Sequence, residues 1–214
     1  MSRSDSQLLL DWRDGDEQAG SELLSRYFQP LYDFFATKVD TGIDDLIQRT
    51  LLACVQARDR VRETAGFRSF LYGVARHELY GSFRGRGRAA RTLDFEAISV
   101  ADLGTTPSQH LGARQEHRLL LEALRRLPLD HQICLELFYW EEMSGPQLAT
   151  VLDVPEGTAR TRLRRARQLL LDELQALAQS PQLLASTRDG LDRWARQLRA
   201  RDGGSEGAAD DTES

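Results

Sequence analysis

Apolar residues recur every three or four positions through most of the chain, which is the spacing of amphipathic α-helices. The pattern predicts a long helix over residues 43–58 and another over residues 67–84. Residues 4–39 carry two or three shorter periodic segments, punctuated by Gly15 and Pro30. Runs of β-branched residues are few, and Leu, Ala, Arg, Glu and Gln are abundant. The pattern therefore predicts an all-α protein.

The helical periodicity is lost between residues 85 and 107, which predicts an interdomain linker. Its middle is too apolar for a purely solvated tether, so part of it is expected to lie along a surface. Two small helical domains joined by a flexible linker are therefore expected, with a C-terminal helical extension. The predicted boundaries are 1–84 and 108–178 for the domains, 85–107 for the linker, 179–202 for the extension and 203–214 for an acidic, disordered tail.

A helix-turn-helix is predicted in the second domain. Ser144 followed by Gln147 is a capping box that opens a short helix to about Leu152. The turn falls at 153–154, and Pro155 pre-sets the backbone for a second helix. Ala159, Leu163, Ala166 and Leu170 then share the side of that helix that packs on the first.

Arginine and threonine dominate the other side of this second helix. That side carries Gly157, Thr158, Thr161, Arg164, Arg165 and Gln168, flanked by Arg160, Arg162 and Arg167. Arginine can pair bidentately with guanine in the major groove, and threonine offers a hydroxyl and a methyl group. This composition favours a DNA recognition helix over the alternative of a solvated basic face on an ordinary helical hairpin.

The net charge of −5 would oppose DNA binding if it were evenly spread. It is not, because acids collect in the tail and arginines in two segments. These segments are Arg76, Arg84, Arg86, Arg88 and Arg91, and residues 160–167. Two basic patches on an acidic body predict two places where DNA is contacted.

Two surfaces in the first domain have both a structural and a functional interpretation. Asp44 and Asp45 stand in the first turn of their helix, where they complement its dipole. In the functional interpretation they form, with Gln48 and Arg49, an exposed polar face that docks a partner. In the helix from Phe67, aromatic residues followed by arginines suit single-stranded DNA, although most of the aromatic residues are also candidates for the core.

Cofactor chemistry is not predicted. Cys54 and Cys134 lie far apart without metal-ligand spacing, and the four histidines are scattered. An enzyme acting on nucleic acid would need clustered acids or histidines. There is neither an apolar run near eighteen residues nor a signal sequence, so a cytoplasmic protein is expected.

The chain resembles the extracytoplasmic-function (ECF) group of bacterial sigma-70 factors. In the second domain, the similar segments are LRRLP at 124–128 and VPEGTARTRLRRAR at 154–167. In the first, they are DLIQ at 45–48 and FRSFLYGVAR at 67–76. The similarity spans roughly residues 8–174, and both motif sets occur in the family's order with a linker between them.

The resemblance implies a non-enzymatic subunit that directs core RNA polymerase to promoter DNA, with the linker threading toward the active-site cleft. It implies three groups of contacts. These are Asp44, Asp45 and Gln48 with the polymerase, Phe67, Phe70, His77, Tyr80 and Arg84 with the minus-ten element, and Thr158, Arg160, Thr161, Arg164 and Arg165 with the minus-thirty-five element.

The chain departs from the family's usual residues at His77, Phe70 and Arg49, and in the segment 143–147. Beyond residue 174 the resemblance ends. The extension either packs back on the second domain or has a regulatory role, in which it shields the basic recognition face or the polymerase surface or binds a controlling protein. An anti-sigma factor is the alternative source of control. A stand-alone helix-turn-helix regulator is the alternative function. It predicts specific DNA binding without polymerase.

Overall fold

The computed structural model describes residues 3–61, 66–85, 93–104, 115–178 and 180–187. These ranges are mostly helical and contain no strand, only an isolated bridge between Ser99 and Pro128. The helices are α1 (Asp5–Arg13), α2 (Glu17–Ser25), α3 (Phe28–Ala36), α4 (Ile43–Ala57), α5 (Gly66–Arg84), α6 (Gln115–Arg126), α7 (Leu129–Tyr139), α8 (Gly145–Leu152) and α9 (Glu156–Leu177). The all-α prediction is confirmed.

Local chemistry accounts for where the first helices begin. The Ser4 side chain accepts a hydrogen bond from the Gln7 amide at 3.2 Å and so caps α1. Asp16 caps α2 in the same way, accepting from the amides of Gln18 and Ala19 at 2.9 and 3.0 Å. Gly42 precedes α4 at φ +76°, in the left-handed region where glycine is favoured.

One hydrophobic core crosses both halves of the chain. It contains apolar residues of α1–α5 together with residues of α7, α8 and the start of α9. Helix α8 packs directly against α5, so the helix-turn-helix lies on the first domain. A second core forms where α6 packs on α9. The sequence pattern predicts the helices but not this close packing of the two halves.

The described part of the predicted linker, residues 93–104, is packed between the halves. The Phe95 ring stacks on Tyr80 of α5, with centroids 4.0 Å apart. Its carbonyl accepts from the Asp130 amide at 3.1 Å, and the Ile98 carbonyl accepts from the Leu129 amide at 3.0 Å. The apolar middle of the linker therefore lies along a surface, as its composition indicates.

The C-terminal extension is described as far as residue 187. Helix α9 ends at Leu177, so Pro181 does not end it as the sequence suggests. Pro181 instead stands in the first turn of a short helix over 181–187, where the Ser180 hydroxyl accepts from the Leu183 amide at 3.2 Å. Leu183 and Leu184 pack on the α6–α9 core. The rest of the predicted extension and the acidic tail lie outside the described residues.

Candidate nucleic-acid and partner interfaces

The helix-turn-helix forms as its sequence predicts. The Ser144 amide donates to Gln147 Oε1 at 2.9 Å, which is one half of the capping box at the start of α8. Asp153 ends α8 in the left-handed conformation, at φ 54° and ψ 49°. An aspartate tolerates this conformation better than most residues, and the chain thereby reverses into Pro155 and α9.

Helix α9 separates an apolar side from a basic side. Ala159, Ala166, Leu170 and Leu174 are buried, and Leu163 is partly buried. All five residues predicted to contact the minus-thirty-five element are exposed: Thr158, Arg160, Thr161, Arg164 and Arg165. Arg160 forms an ion pair with Glu156 one turn earlier, and the Thr161 hydroxyl donates to the Gly157 carbonyl at 3.0 Å. The exposed side can therefore present several cationic donors to a duplex.

Arg162 does not flank this basic side. Its side chain is only 8% exposed and forms ion pairs with Asp130, at 3.2 Å, and with Glu96. The reason is helical geometry, because position 162 lies three residues after Ala159 and four before Ala166, within the buried stripe. The helical spacing alone predicts that Arg162 is buried, whereas its charged side chain favours a position on the surface.

The exposed side of α4 carries the residues predicted to bind the polymerase. Asp44, Asp45 and Gln48 are all exposed, and Asp45 forms an ion pair with Arg49 at 2.9 Å. Leu52 is also exposed, by 54%. It lies one turn beyond Gln48, so an apolar residue extends the polar face.

Val55 is a second exposed apolar residue on α4, at 39%. Leu52 and Val55 are not among the residues that the sequence predicts for this interface. Their spacing could have identified them, because Leu52 and Val55 follow Asp45 and Gln48 at helical intervals, on the side of α4 that faces away from the core.

Helix α5 places the five residues predicted for the minus-ten element in different environments. His77 has 84% of its side chain exposed, and Arg84 is exposed with its guanidinium 5.4 Å from the Phe95 ring. Phe70 is partly buried and packs against the core. The basic residues Arg86, Arg88 and Arg91, which the sequence assigns to the same patch, lie outside the described residues.

Phe67 and Tyr80, which the resemblance places at the minus-ten element, are interior residues in this structure. Phe67 is 2% exposed, and its ring packs 5.6 Å from that of Tyr27. Tyr80 is 7% exposed and donates its hydroxyl proton to Asp130 of α7. Phe67 lies one turn before the buried Leu71, and Tyr80 lies one turn before the buried Phe83, so both face the core.

Asp130 is the centre of a buried polar cluster between α5, α7 and α9. Besides Tyr80, it accepts from Arg76 at 3.1 Å and from Arg162 at 3.2 Å. Burial and the Asp130 carboxylate both raise the pKa of Tyr80, so the hydroxyl remains a donor.

A second buried polar cluster joins α3 to α7. Lys38 lies two residues after the end of α3. Its Nζ donates to the Phe34 carbonyl at 2.6 Å, to Thr37 Oγ1 at 2.9 Å and to Glu136. The Lys38 and Glu136 side chains are 0% and 2% exposed. Burial lowers the pKa of Lys38, and the Glu136 carboxylate opposes that shift. Arg125 adds a hydrogen bond to the Thr37 carbonyl at 2.7 Å.

Within the residues that the structure describes, no group of three His, Cys, Asp or Glu side chains could hold an ion. Cys54 and Cys134 are buried free thiols, and burial raises the pKa of each to about 12. Among the described helices, none combines the length and apolarity required to cross a bilayer.

Comparison with known proteins identifies both halves. The family model for sigma-70 region 2 matches residues 24–89, and the model for sigma-70 region 4 matches residues 117–170. The chain belongs to the sigma-70 family. It is a sigma factor of the ECF group, which directs transcription initiation by RNA polymerase. The family consists of non-catalytic initiation factors.

Curated relatives agree with this assignment. The chain is 25% identical to the ECF RNA polymerase sigma-E factor of Haemophilus influenzae over 183 residues, which are 81% of this chain and 97% of that protein. It is 26% identical to the ECF RNA polymerase sigma-E factor of Escherichia coli K12, over 76% of this chain and 90% of that protein.

Solved structures share the fold of this sigma factor. CnrH in complex with the cytosolic domain of CnrY superposes with a TM-score of 0.59 at 22% identity, covering 81% of this chain and 99% of that one. RpoE in complex with the anti-sigma factor NepR, from Bartonella quintana, superposes with a TM-score of 0.55 at 24% identity, covering 72% and 95%.

Proposed function

We propose that this sigma factor uses three separate surfaces to start transcription. The exposed face of α9 reads the minus-thirty-five element, with Arg160, Thr161, Arg164 and Arg165 at bases and Thr158 near phosphate. The observation that carries this assignment is that every one of these side chains is exposed on one helix, directly after a capped turn.

The second surface is the exposed side of α4, which binds the core polymerase. Asp44, Asp45 and Gln48 provide its polar part, and Leu52 and Val55 provide apolar area. Apolar side chains surrounded by polar ones are a common composition for a protein interface. Regions 1–84 and 108–178 are accordingly proposed as the polymerase and minus-ten domain and as the minus-thirty-five domain.

The third surface is the basic end of α5, where His77, Phe70 and Arg84 act on the melted minus-ten element. Imidazole can donate and accept hydrogen bonds to a base edge. Tyr80 can join this surface only after its contact with Asp130 is broken, and Phe67 is assigned to the core.

The proposed role needs no cofactor and no catalytic residue, since the polymerase performs the chemistry. Its place of action is the cytoplasm, with the polymerase. Two structural neighbours were solved as complexes, one with a protein named as an anti-sigma factor. We extend this to the present chain and propose control by an anti-sigma factor or another regulatory protein.

Reversing the charge of Asp45 tests the α4 assignment. Asp45→Arg should weaken binding to purified core polymerase by at least about tenfold, because one interface anchor is replaced by a repulsive charge. Fluorescence titration of labelled sigma factor with core enzyme measures this affinity.

Asp172→Arg is the matched control, since Asp172 is an exposed acid on α9, in the other half of the chain. Unchanged affinity for Asp45→Arg, or an equal loss for both variants, would refute the α4 assignment.

A further inference from the structure

We propose that the acidic C-terminal segment, residues 203–214, binds the basic face of α9 and competes there with DNA. The basic face consists of the exposed α9 side chains that the proposed function assigns to the minus-thirty-five element. The regulatory meaning of this contact rests on that proposed function. The contact itself follows from the charge of the segment, from the way in which the extension is anchored and from its length.

The basic face of α9 carries positive charge that the described part of the chain compensates at only one arginine. Arg160 forms an ion pair with Glu156. Arg164 and Arg165 are exposed and pair with no acid among the described residues. Guanidinium groups bind carboxylates as well as phosphates, because both anions accept charge-assisted hydrogen bonds. The face can therefore bind an acidic peptide as well as DNA.

The C-terminal segment has the complementary charge. Residues 203–214 contain four acids and neither lysine nor arginine. The only apolar side chains in this segment are two alanines, so it is expected to bind through charge and not through buried area. The four acids are Glu206, Asp210, Asp211 and Glu213.

The start of the extension is anchored beside α9. Leu183 and Leu184 pack on the core that α6 and α9 form. The Ser180 hydroxyl accepts from the Leu183 amide at 3.2 Å, and the Thr187 hydroxyl donates to the Leu183 carbonyl at 2.7 Å. Thr187 is itself only 2% exposed. The chain therefore continues beyond residue 187 from a defined point near the C-terminal end of α9.

The length of chain between this anchor and the acidic segment matches the distance to the basic face. At 1.5 Å per residue, Arg165 lies about 18 Å and Arg160 about 26 Å from the end of α9 at Leu177. The fifteen residues 188–202 would span about 22 Å in either a flexible or a helical conformation. Carboxylates tethered over such a distance have an effective concentration in the millimolar range. Because exposed ion pairs are individually weak, DNA can displace the segment.

A spin label tests the contact in the absence of DNA. Cys54 and Cys134 are buried free thiols, so Thr212→Cys in the full chain can be labelled selectively. The amide NMR signals of residues 157–168 should broaden at about 50 mM salt and recover at about 500 mM, because salt screens exposed charges. No broadening of these signals, or broadening confined to another basic region such as the end of α5 at Arg84, would overturn the proposal.

Replacing the four acids by amides tests the competition with DNA. At about 50 mM salt, this variant should bind a fluorescent random-sequence duplex of about 30 base pairs roughly three- to tenfold more tightly than wild type, and the difference should disappear by about 500 mM. Its affinity should also depend more steeply on salt, because DNA no longer has to displace the segment. The substitutions are Glu206→Gln, Asp210→Asn, Asp211→Asn and Glu213→Gln.

Four exposed acids of the first domain provide the matched control, since their neutralisation changes the net charge by the same amount. This control should bind the duplex as wild type does. An equal gain in affinity for both variants would overturn the proposal, because the effect would then come from net charge alone. The control substitutions are Asp14→Asn, Glu17→Gln, Asp40→Asn and Asp59→Asn.

Removing the basic face separates this inference from the proposed function. In a chain with Arg164→Ala and Arg165→Ala, the four amide substitutions should raise DNA affinity by less than about twofold, because the two sets of charges act on each other. A full gain in that background would overturn the proposal. If the spin label contacts α9 but the protein supports no transcription, the contact stands and the proposed function is refuted. Transcription in the absence of the contact refutes the competition alone.

Discussion

At the scale of single residues, Arg162 and Arg165 lie three positions apart on α9 and have different roles. Arg162 stabilises the fold, and Arg165 is proposed to contact DNA. Arg162 is buried against Asp130, whereas Arg165 is exposed. Arg162→Ala should lower the free energy of unfolding by about 3 kcal/mol, because it breaks a buried ion pair. Arg165→Ala should change it by less than about 0.5 kcal/mol. Urea denaturation measures both values.

The same two variants should reverse their order in DNA binding. With holoenzyme, Arg165→Ala should lose about 1–3 kcal/mol and relax the preference at one base position if the guanidinium pairs with guanine. If Arg165→Ala instead weakens binding equally on all DNA sequences, the Arg165 guanidinium contacts phosphate. A stability loss for Arg165→Ala as large as that for Arg162→Ala would contradict the placement of both side chains.

His131 provides a prediction for pH dependence. Burial and the nearby Arg162 charge lower the pKa of His131, so the folded state favours the neutral imidazole. Below the ordinary value of about 6.5, the unfolded chain gains a proton that the folded chain resists. Stability should therefore fall as the pH drops below about 6.5, and His131→Gln should remove that part of the loss.

Urea midpoints at pH 7.5 and pH 5.5 measure the effect. The matched control is His77→Gln, because the His77 side chain is 84% exposed. Identical pH dependence in wild type and His131→Gln would show that this imidazole does not contribute.

At the scale of elements, the contact between α1 and α2 depends on a glycine. A Cβ atom at Gly20 would lie 2.4 Å from Trp12 Nε1, and Trp12 is itself 2% exposed. Gly20→Ala should therefore destabilise the protein by about 1–3 kcal/mol through overpacking. A Cβ atom at Gly81 of α5 would meet no other atom within 4 Å, so Gly81→Ala should stabilise the protein by about 0.5–1 kcal/mol.

Thermal unfolding of the two variants against wild type tests this contact. If Gly20→Ala and Gly81→Ala shift the midpoint in the same direction, the close approach of α1 to α2 at Trp12 is refuted.

Most elements could be predicted from the sequence because their signals are local. The expected helix over 43–58 is observed as Ile43–Ala57, and that over 67–84 as Gly66–Arg84. The capping box at Ser144 also fixes the start of α8. The prediction that Pro181 ends α9 is wrong, because a proline is equally compatible with ending one helix and with starting the next.

The candidate sites were less predictable than the helices. Periodicity tells which side of a helix is buried, and it correctly placed Thr158 and Arg165 on the surface. Residue type was a weaker guide, because Tyr80 and Arg162 have polar groups that buried acids satisfy. Those acids belong to other elements, so their partnership is not visible along the chain.

At the scale of the whole molecule, the packing of the two halves could not be derived from amphipathic patterns. Such patterns define buried faces without saying which face meets which. A signal did exist, since Glu136 interrupts the apolar run of residues 133–138 and Lys38 follows an apolar helix. Charged side chains in apolar surroundings require partners, and Lys38 and Glu136 pair with each other.

The way in which the arginines are distributed also explains how a protein with a negative net charge can bind DNA. The arginines that face DNA stay on the surface, while Arg76 and Arg162 are neutralised internally by Asp130. The charge that matters for recognition is therefore local to the exposed face of α9 and the end of α5.

Run-off transcription with purified core polymerase on a promoter library tests the central claim most directly. The sigma factor should support initiation from a subset of promoters only when core enzyme is present, and it should bind the same DNA weakly alone. Failure to support initiation from any promoter, together with tight and specific DNA binding in the absence of core enzyme, would contradict this function and identify a stand-alone regulator.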